Sequence, residues 1–408
     1  MADRLVVAFV RNRADVLLCR YGRDAPLAPG RWSGVSAMAT TAADPAAIAR
    51  TAVGQQVGLD DLRVVRTGAP VPAPDDAGRS DAVAVLLEST DRSVDLAPTM
   101  SRAEWTSPAS ILARPCVPGL WRSYETVAPS VRTIAADTTT GSTTLSVRAL
   151  EVLRDRAAVL SAENAGAGGE LVDLGRELRS VRPEMLAVKV RVARVLEGDL
   201  EPSAVRDRAE RTIEAAAAAD RLAARVAADA VDGAEAVLTF SRSGTVRRAL
   251  EYASPRRVIL TPAAPGGEGV AAAEALADEL AVELVPDAAI AAAVEAADAV
   301  LVGADGVGPD GVVRNKVGTR TLAAVADHRG VPLYVATATA KCCDLSGPIE
   351  HVPAGELYDG AAQISVDTRR FESTPAAWVD GYCTERGVLD PEAVGAIAEA
   401  NAALVGLD

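Results

Sequence analysis

The segment "VLVGADGVGPDGVVRNKVGT", residues 300–319, gives the clearest indication of the fold. Its apolar start predicts a buried strand that ends at Gly303, and the glycines that follow allow the backbone to approach a ligand closely. Asp305 comes just after the strand, where side chains of a parallel sheet face a ligand. We expect "NKVGT" to begin a helix whose first amides, with the ammonium group of Lys316, bind an anion. The segment therefore predicts a phosphate pocket at a strand end, with a solvated turn as the alternative.

The rest of the last segment, residues 229–408, predicts a sheet around this strand. Its apolar runs are nearly continuous, as expected for strands covered on both faces. They read "AEAVLTF", "RRVILTP", "LAVELVP" and "VPLYVAT", and helical stretches such as "GVAAAEALADE" separate them. This alternation is typical of an α/β fold with a Rossmann-like, doubly wound parallel sheet, in which ligands bind at the carboxyl ends of the strands.

Two further domains are predicted before this sheet. Residues 1–130 combine strands such as "LVVAFV", "DVLLCRY" and "DAVAVLLEST" with a helix that follows Asp44 and stops near Gly58, which indicates an α+β domain. The stretch "SPASILA" predicts another helix in that domain. Residues 131–228 contain long stretches whose apolar positions recur every three or four residues, which predicts a helical domain.

Composition argues against several classes of function. The formal net charge of −14 is unsuited to binding nucleic acid or an anionic membrane surface. Lysine is limited to Lys189, Lys316 and Lys341, and an acidic, lysine-poor chain suits a protein kept soluble in strong salt. The five cysteines form no metal clip or disulfide framework. The chain starts like a strand rather than a signal peptide, and no apolar run is long enough to cross a membrane. We therefore expect a cytoplasmic protein without cofactor or metal.

The motifs "GADGV" and "NKVGT" together resemble the signature of the translation initiation factor 2B alpha/beta/delta superfamily, which includes methylthioribose-1-phosphate and ribose-1,5-bisphosphate isomerases. The resemblance extends from about Gly141 to the end of the chain. "GSTTLSVRALEVLRD" is similar to the helical N-terminal domain of that superfamily, "LTFSRSGTV" to its first Rossmann loop, and "TPAAWVDGYCTERGVL" to its C-terminal strand and helix. The resemblance implies a phosphorylated small-molecule ligand and a homo-oligomer, a dimer or higher, formed through the Rossmann-like part.

Catalysis in those isomerases depends on a Cys of the first loop and on the Asp of "GAD", which move protons in an aldose–ketose conversion. Asp305 matches the Asp, but Ser241 stands at the Cys position, and a hydroxyl is a much weaker acid than a thiol. Asp305 and Ser241 are therefore the candidate catalytic residues, with Ser241 a poor replacement for the thiol. We expect His328 and His351 to be structural or solvated rather than catalytic.

A second departure affects the phosphate clamp. The isomerases carry a Glu-x-Arg-Pro motif whose Arg helps to hold a phosphate, whereas this chain has Pro262 and Ala264 at the Glu and Arg positions and keeps Pro265. Regulatory subunits of the initiation factor likewise lack the catalytic Cys. Other positions suited to a ligand are kept. The candidate ligand-binding residues are Arg242, Ser243, Gly244, Gly303, Asn315, Lys316, Gly318, Thr319 and Lys341.

The first domain shows a second resemblance. "VVAFVRNRADVLLCRYGRDAPLAPGRWSGVSA" resembles the opening of a Nudix domain, and "AEWTSPASILA" resembles its closing strand and helix. In the matching Nudix box, residues 51–59, Thr51 and Ala52 replace the Arg and the first Glu, while Gln55 and Gln56 replace the Glu pair. Hard divalent cations favour anionic oxygens. We therefore predict a Nudix-like domain without metal-assisted hydrolysis, and a solvated helix end is the alternative interpretation of "GQQVGL".

Three functions remain open at this point. The first is an initiation factor 2B-like binding or regulatory protein that senses a phosphorylated sugar or nucleotide and carries a non-catalytic Nudix-like domain. The second is a ribose-1,5-bisphosphate or related aldose-phosphate isomerase that uses Asp305. The third is a Nudix hydrolase with displaced metal ligands. If the protein is an enzyme, we expect the isomerase rather than the hydrolase.

Overall fold

The computed structural model describes residues 3–25, 29–72, 81–164 and 168–406. The chain forms two compact units, and both are discontinuous in sequence. The first unit consists of Met1–Ile134, Arg148–Leu174 and Gly198–Glu210. The second unit consists of Ala135–Val147, Gly175–Glu197 and Arg211–Asp408. The division into three domains near residues 130 and 228 stays a prediction.

A mixed eight-stranded sheet forms the core of the first unit. Its strands are β1 (Asp3–Asn12), β2 (Asp15–Tyr21), β3 (Trp32–Ser33), β4 (Val35–Thr40), β5 (Arg63–Thr67), β6 (Val71–Pro72), β7 (Asp81–Glu88) and β8 (Met100–Thr106). β1 pairs in parallel with β7 and antiparallel with both β2 and β4. The strands predicted at "LVVAFV", "DVLLCRY" and "DAVAVLLEST" are confirmed.

Helix α1 (Pro45–Val57) packs on this sheet, and its ends lie where the sequence predicts them. The Asp44 carboxylate accepts hydrogen bonds from the amides of Ala46 and Ala47 at 3.1 and 3.2 Å. These bonds satisfy two of the donors that the first helical turn leaves free. Gly58 ends the helix with a φ of 72°, a left-handed conformation that glycine adopts without strain.

Helices dominate the middle of the chain, as the apolar periodicity predicts. They are α2 (Leu120–Glu125), α3 (Val131–Ala136), α4 (Ser142–Ala162), α5 (Gly168–Ser180), α6 (Leu186–Leu196) and α7 (Pro202–Ala230). The stretch "SPASILA" differs from expectation because it forms a short 3-10 helix, Pro108–Leu112. Among the residues described above, no helix is both long and apolar enough to cross a membrane.

A buried ion pair anchors the second half of α4 within the first unit. The Arg154 side chain is 2% exposed, and its guanidinium lies 2.8 Å from the Asp155 carboxylate. The same guanidinium donates to the carbonyl oxygen of Ala14 at 3.4 Å, and the Tyr124 hydroxyl donates to Asp155 at 3.4 Å. Burial raises the pKa of Asp155 to about 6, although the charge of Arg154 opposes the shift. Each buried charge therefore depends on the other.

A doubly wound sheet forms the core of the second unit. Its strands are β9 (Ala236–Phe240), β10 (Arg257–Thr261), β11 (Val282–Leu284), β12 (Ala299–Gly303), β15 (Leu333–Ala336), β17 (Gly381–Thr384) and β18 (Gly387–Leu389). The order across the sheet is β11-β10-β9-β12-β15-β17-β18, and only the final pair, β17 with β18, is antiparallel. β9, β12 and β17 are buried along their whole length, as the continuous apolar runs of the first two predict.

Helices and a small second sheet complete this unit. The helices are α8 (Gly244–Ala253), α9 (Glu268–Ala277), α10 (Ile290–Glu295), α11 (Thr319–Arg329) and α12 (Pro391–Val405). The small sheet consists of β13 (Gly306–Val307), β14 (Val313–Lys316) and β16 (Phe371–Thr374).

The expectation that "NKVGT" begins a helix is wrong for its first four residues, because only Thr319 belongs to α11. Asn315 and Lys316 end β14, and α11 begins only at Thr319, after Gly318 turns the chain with a φ of 105°. The reason is a long-range pairing, because Lys316 lies opposite Phe371 in the antiparallel pair of β14 and β16. A local pattern does not reveal such a partner.

The order of strands places a crevice beside β9 and β12. From β9 the chain proceeds outward to β10 and β11, and from β12 it proceeds in the opposite direction to β15 and β17. The loops that leave these two neighbouring strands therefore diverge, which opens a crevice at their carboxyl ends. The loops after Phe240 and Gly303 both start at this point.

Replacing Arg154 by Met should destabilise the first unit by about 3–5 kcal/mol, because Asp155 is left buried without its cation. Urea denaturation followed by circular dichroism measures the free energy of unfolding. The control is Arg156→Met on the same helix, which removes a solvent-exposed ion pair with Glu170 and should cost far less. Equal losses in the two variants would contradict the importance of the buried pair.

Candidate functional site

A cleft lies at the carboxyl ends of β9 and β12, entirely within the second unit. It consists of two adjoining cavities, with volumes of about 150 and 550 Å³. Asp305 lines both cavities and marks their junction. The other residues that line both are Thr139, Gly141, Ser142, Arg242, Ser243, Gly303 and Asn315.

The two cavities differ in the charged groups that line them. The smaller one, here called the network end, is lined by Glu268, Lys316, Glu350 and Arg370. The larger one, here called the helix end, is lined by Gly244, Thr245 and Lys341. The structure thus brings together the predicted residues Ser241, Arg242, Ser243, Gly244, Gly303, Asp305, Asn315, Lys316 and Lys341.

The N-terminus of α11, which is expected to bind an anion, instead binds a carboxylate of the same chain. The Glu372 carboxylate accepts hydrogen bonds from the amides of Gly318 and Arg320 at 2.5 and 3.0 Å. Neither Gly318 nor Thr319 lines a cavity of the cleft, and Thr319 is 1% exposed. The expectation of a free anion site at this helix is therefore wrong, because β16 places Glu372 beside it.

The helix end is formed by the loop after β9. Ser243 is the N-cap of α8, and its hydroxyl accepts a hydrogen bond from the amide of Val246 at 3.3 Å. The amides of Gly244 and Thr245 meet no acceptor from the described part of the chain. A helix end with free amides attracts negative charge. Gly303 allows the close approach of this loop, because a β carbon there would lie 2.7 Å from the Ser243 hydroxyl.

Two cations beside this helix end hydrogen-bond only to backbone oxygens within the described residues. Arg242 is exposed and donates to the carbonyl oxygen of Thr139 at 3.1 Å. The ammonium group of Lys341 donates to the carbonyl oxygen of Ala304 at 2.8 Å. Because no carboxylate of the described ranges lies within ion-pair distance of either cation, their charges remain available to a ligand.

Asp305 lies between the two ends of the cleft. Its amide donates to the carbonyl oxygen of Arg314 at 2.9 Å, which fixes the backbone just after β12. Burial raises the pKa of the Asp305 carboxyl above its ordinary value, and the nearby charge of Lys341 opposes that shift. A carboxyl with a raised pKa suits proton transfer.

Ser241 directly follows β9 and lines the smaller cavity, with a φ of 63°. A left-handed conformation is unusual for serine, so the residue is held in a sparsely populated geometry. His328 and His351 are exposed and line neither cavity, so neither is placed to take a proton from the Ser241 hydroxyl.

The network end contains ion pairs that the sequence does not reveal. The ammonium group of Lys316 lies 2.9 Å from one Glu268 oxygen, and the Arg370 guanidinium lies 2.6 Å from the other. Arg370 also lies 2.7 Å from Glu350. Burial alone would raise the pKa of Glu268, but hydrogen bonds from Arg370 and Lys316 outweigh it and hold the pKa below its ordinary value.

The sequence motifs do not identify Glu268, Glu350 and Arg370 as residues of the site. The available signal for Glu268 was its place in the first turn of the helix that follows β10, near the carboxyl edge of the sheet. Glu350 and Arg370 belong to a long excursion between β15 and β16 and carried no such signal.

The Nudix-box residues lie in the first unit. Gln55 is exposed, whereas the Gln56 amide donates to the carbonyl oxygen of Ser36 at 3.1 Å. The Tyr21 hydroxyl lies 3.5 Å from the side-chain oxygen of Gln56. These neutral groups do not fit Mg²⁺ or Mn²⁺, which favour carboxylate oxygens. Within the four described ranges, no three His, Cys, Asp or Glu side chains are grouped so that they could hold a metal ion. Residues 26–28 of the Nudix-like opening lie outside the described residues.

Comparisons with known proteins relate most of the chain to one family. Residues 138–391 match the model of the initiation factor 2 subunit family. A translation initiation factor eIF-2B subunit 2-like protein of Pyrococcus furiosus is 33% identical over 228 residues, which are 54% of this chain and 81% of that protein. A ribose 1,5-bisphosphate isomerase of Haloferax volcanii is 29% identical over 301 residues, which are 66% of this chain and 91% of that protein.

A solved structure agrees with these matches. The Pyrococcus horikoshii translation initiation factor eIF-2B superposes with a TM-score of 0.56 and 25% identity, covering 64% of this chain and 95% of that chain. The family match spans the cleft and both of its ends. The chain therefore belongs to the initiation factor 2 subunit family.

Proposed function

We propose that the cleft binds a phosphorylated sugar or nucleotide and that the protein acts as a sensing or regulatory member of its family. One observation carries the proposal. Gly244 and Thr245, whose amides are free, line the same cavity as Arg242, Lys341 and Asp305. A phosphate placed there gains backbone donors and two cations.

The comparison between the two helix N-termini supports this position for the phosphate. At α11 the carboxylate of Glu372 already takes the first amides, so a phosphate would have to displace it. At α8, no carboxylate of the described residues accepts hydrogen bonds from the first amides. The side-chain cap there is the neutral Ser243 hydroxyl. An anion therefore meets less competition at α8.

Loss of two catalytic features supports a binding role rather than isomerase activity. Ser241 offers a hydroxyl where the isomerases have a thiol. The loop that would carry the phosphate-clamp Arg has Ala264 instead, and the amides of Ala263 and Ala264 both donate to Asp287 at 2.9 Å. That loop is thus held by the protein's own carboxylate.

An aldose-phosphate isomerase is the second candidate, and Asp305 is the observation that favours it. Burial raises the pKa of its carboxyl at the junction of the cleft, which suits an acid–base group. In that case Asp305 would move a proton between neighbouring carbons of an open-chain sugar phosphate, and Ser241 or a carboxylate of the network end would serve as its partner.

We further propose that the first unit is a non-catalytic Nudix-like module. Its parallel pair of β1 and β7, covered by α1, supports the likeness, and Gln55 and Gln56 in place of acids support the loss of catalysis. A Nudix hydrolase with displaced metal ligands is the third candidate.

The formation of a homo-oligomer stays a prediction. Light scattering of the purified protein tests it.

Replacing Arg242 by Ala should weaken binding of a monophosphate by about tenfold or more, because a charge-assisted hydrogen bond is lost. Thermal shift and calorimetric titration with methylthioribose 1-phosphate and AMP measure the affinity. The control is Arg329→Ala, which removes an exposed Arg of α11 paired with Glu295 and should leave binding unchanged. The proposal fails if no phosphorylated probe binds the wild-type protein, or if Arg242→Ala binds as tightly.

Replacing Asp305 by Asn should strengthen binding of the same anions by about threefold or more, because one negative charge leaves the junction of the cleft. Turnover of methylthioribose 1-phosphate and ribose 1,5-bisphosphate is followed in parallel. Binding without turnover in the wild-type protein agrees with a sensor. Turnover that disappears in Asp305→Asn would establish the isomerase instead, and metal-dependent phosphate release from a nucleoside diphosphate sugar would establish the hydrolase.

A further inference from the structure

The two ends of the cleft offer very different partners to a charged ligand. We propose that the helix end takes a single phosphate, that the network end takes an uncharged hydroxyl-bearing part of the same ligand, and that Glu268 excludes a second phosphate. The protein would then select sugar monophosphates over bisphosphates. This inference rests on the proposed function, because it assumes that the cleft binds a phosphorylated ligand.

Among the described residues, the cations that line only the network end are all paired within the protein, so a single phosphate on the shared Arg242 leaves none free for a second phosphate. The Lys316 side chain is 3% exposed and is paired with Glu268, which it meets at 2.9 Å. Arg370 is paired with two carboxylates, Glu268 at 2.6 Å and Glu350 at 2.7 Å. These four residues carry two positive and two negative charges, so their charges cancel.

Two further cations that line only this cavity are also engaged, whereas Arg242 lines both cavities. Arg182 lies 2.5 Å from the Glu184 carboxylate. Arg314 is 8% exposed and donates to the carbonyl oxygen of Leu345. Each of these guanidinium groups already has a partner within the protein.

A phosphate dianion at the network end would therefore face two unfavourable choices. It would lie close to the carboxylates of Glu268 and Glu350 and be repelled by both. Otherwise it would displace Glu268 from Lys316 and leave a carboxylate without its cation in a largely buried position, which is costly. Both routes reduce the affinity for a ligand with phosphates at its two ends.

The helix end shows the opposite arrangement. Arg242 and Lys341 bond only to backbone oxygens among the described residues, while the neighbouring Arg247 and Arg248 are neutralised by Glu251 and Asp220. Two free cations and two free amides suit one phosphate group.

The carboxylates of the network end suit hydroxyl groups instead. The Glu268 and Glu350 side chains line the smaller cavity and are 18% and 29% exposed. Ionised carboxylates accept several hydrogen bonds at once, and those from hydroxyl donors are short and strong. A ribose or open-chain polyol provides such donors without adding charge.

Calorimetric titration of ribose 5-phosphate and ribose 1,5-bisphosphate tests the inference at pH 8, where both phosphates are dianionic because their second pKa lies near 6. The wild-type protein should bind the monophosphate about tenfold more tightly than the bisphosphate. In Glu268→Gln, which keeps the shape of the side chain but frees Lys316 and Arg370, affinity for the bisphosphate should rise about tenfold. Affinity for the monophosphate should change by less than about threefold.

Two further variants make the result specific. Glu295→Gln changes the net charge by the same amount on an exposed pair outside the cleft and should leave both affinities unchanged. Glu350→Gln removes only the outer carboxylate and should raise affinity for the bisphosphate less than Glu268→Gln does. It also serves as the test if Glu268→Gln does not fold, as judged by its melting curve.

The outcomes separate this inference from the proposed function. If the wild-type protein binds the bisphosphate as tightly as the monophosphate, or if the glutamate variants leave the ratio unchanged, the exclusion of a second phosphate is overturned while the phosphate site stands. If neither ligand binds the wild-type protein or any variant, the proposed function itself is overturned, and this inference with it.

Discussion

The ion pair between Glu268 and Lys316 determines which part of the cleft stays positively charged. Lys316 is among only three lysines of the chain and lies beside the cavity, so in isolation it would be the natural partner of an anion. Glu268 neutralises it and also holds Arg370. The free positive charge of the cleft consequently lies at Arg242, which lines both cavities, and at Lys341, which lines only the larger one.

This division of charge depends on how the fold brings distant segments together. β9 and β12 lie side by side where the strand order reverses, so the loops after Phe240 and Gly303 border the same crevice. Glu268 begins the helix after β10, and Arg370 directly precedes β16, which pairs with the strand that ends at Lys316. The three charged residues come from separate parts of the chain and meet only in the folded protein.

The sequence predicts those features that local chemistry controls. The caps of α1 at Asp44 and Gly58 were predictable because capping involves neighbouring backbone groups. The buried strands were predictable because continuous apolar runs identify strands covered on both faces. The start of α11 and the partners of Lys316 were not predictable, since Glu372 and Glu268 lie 54 and 48 residues away in the chain. The position of Asp305 and Lys316 on one cavity was predicted, but the charge balance around them was not.

The most direct test of the account is a crystal structure of the protein soaked with methylthioribose 1-phosphate. The account predicts phosphate density within hydrogen-bonding distance of the amides of Gly244 and Thr245, beside Arg242, with Lys316 still paired to Glu268. Phosphate density on Lys316, with Glu268 displaced from it, would contradict the account.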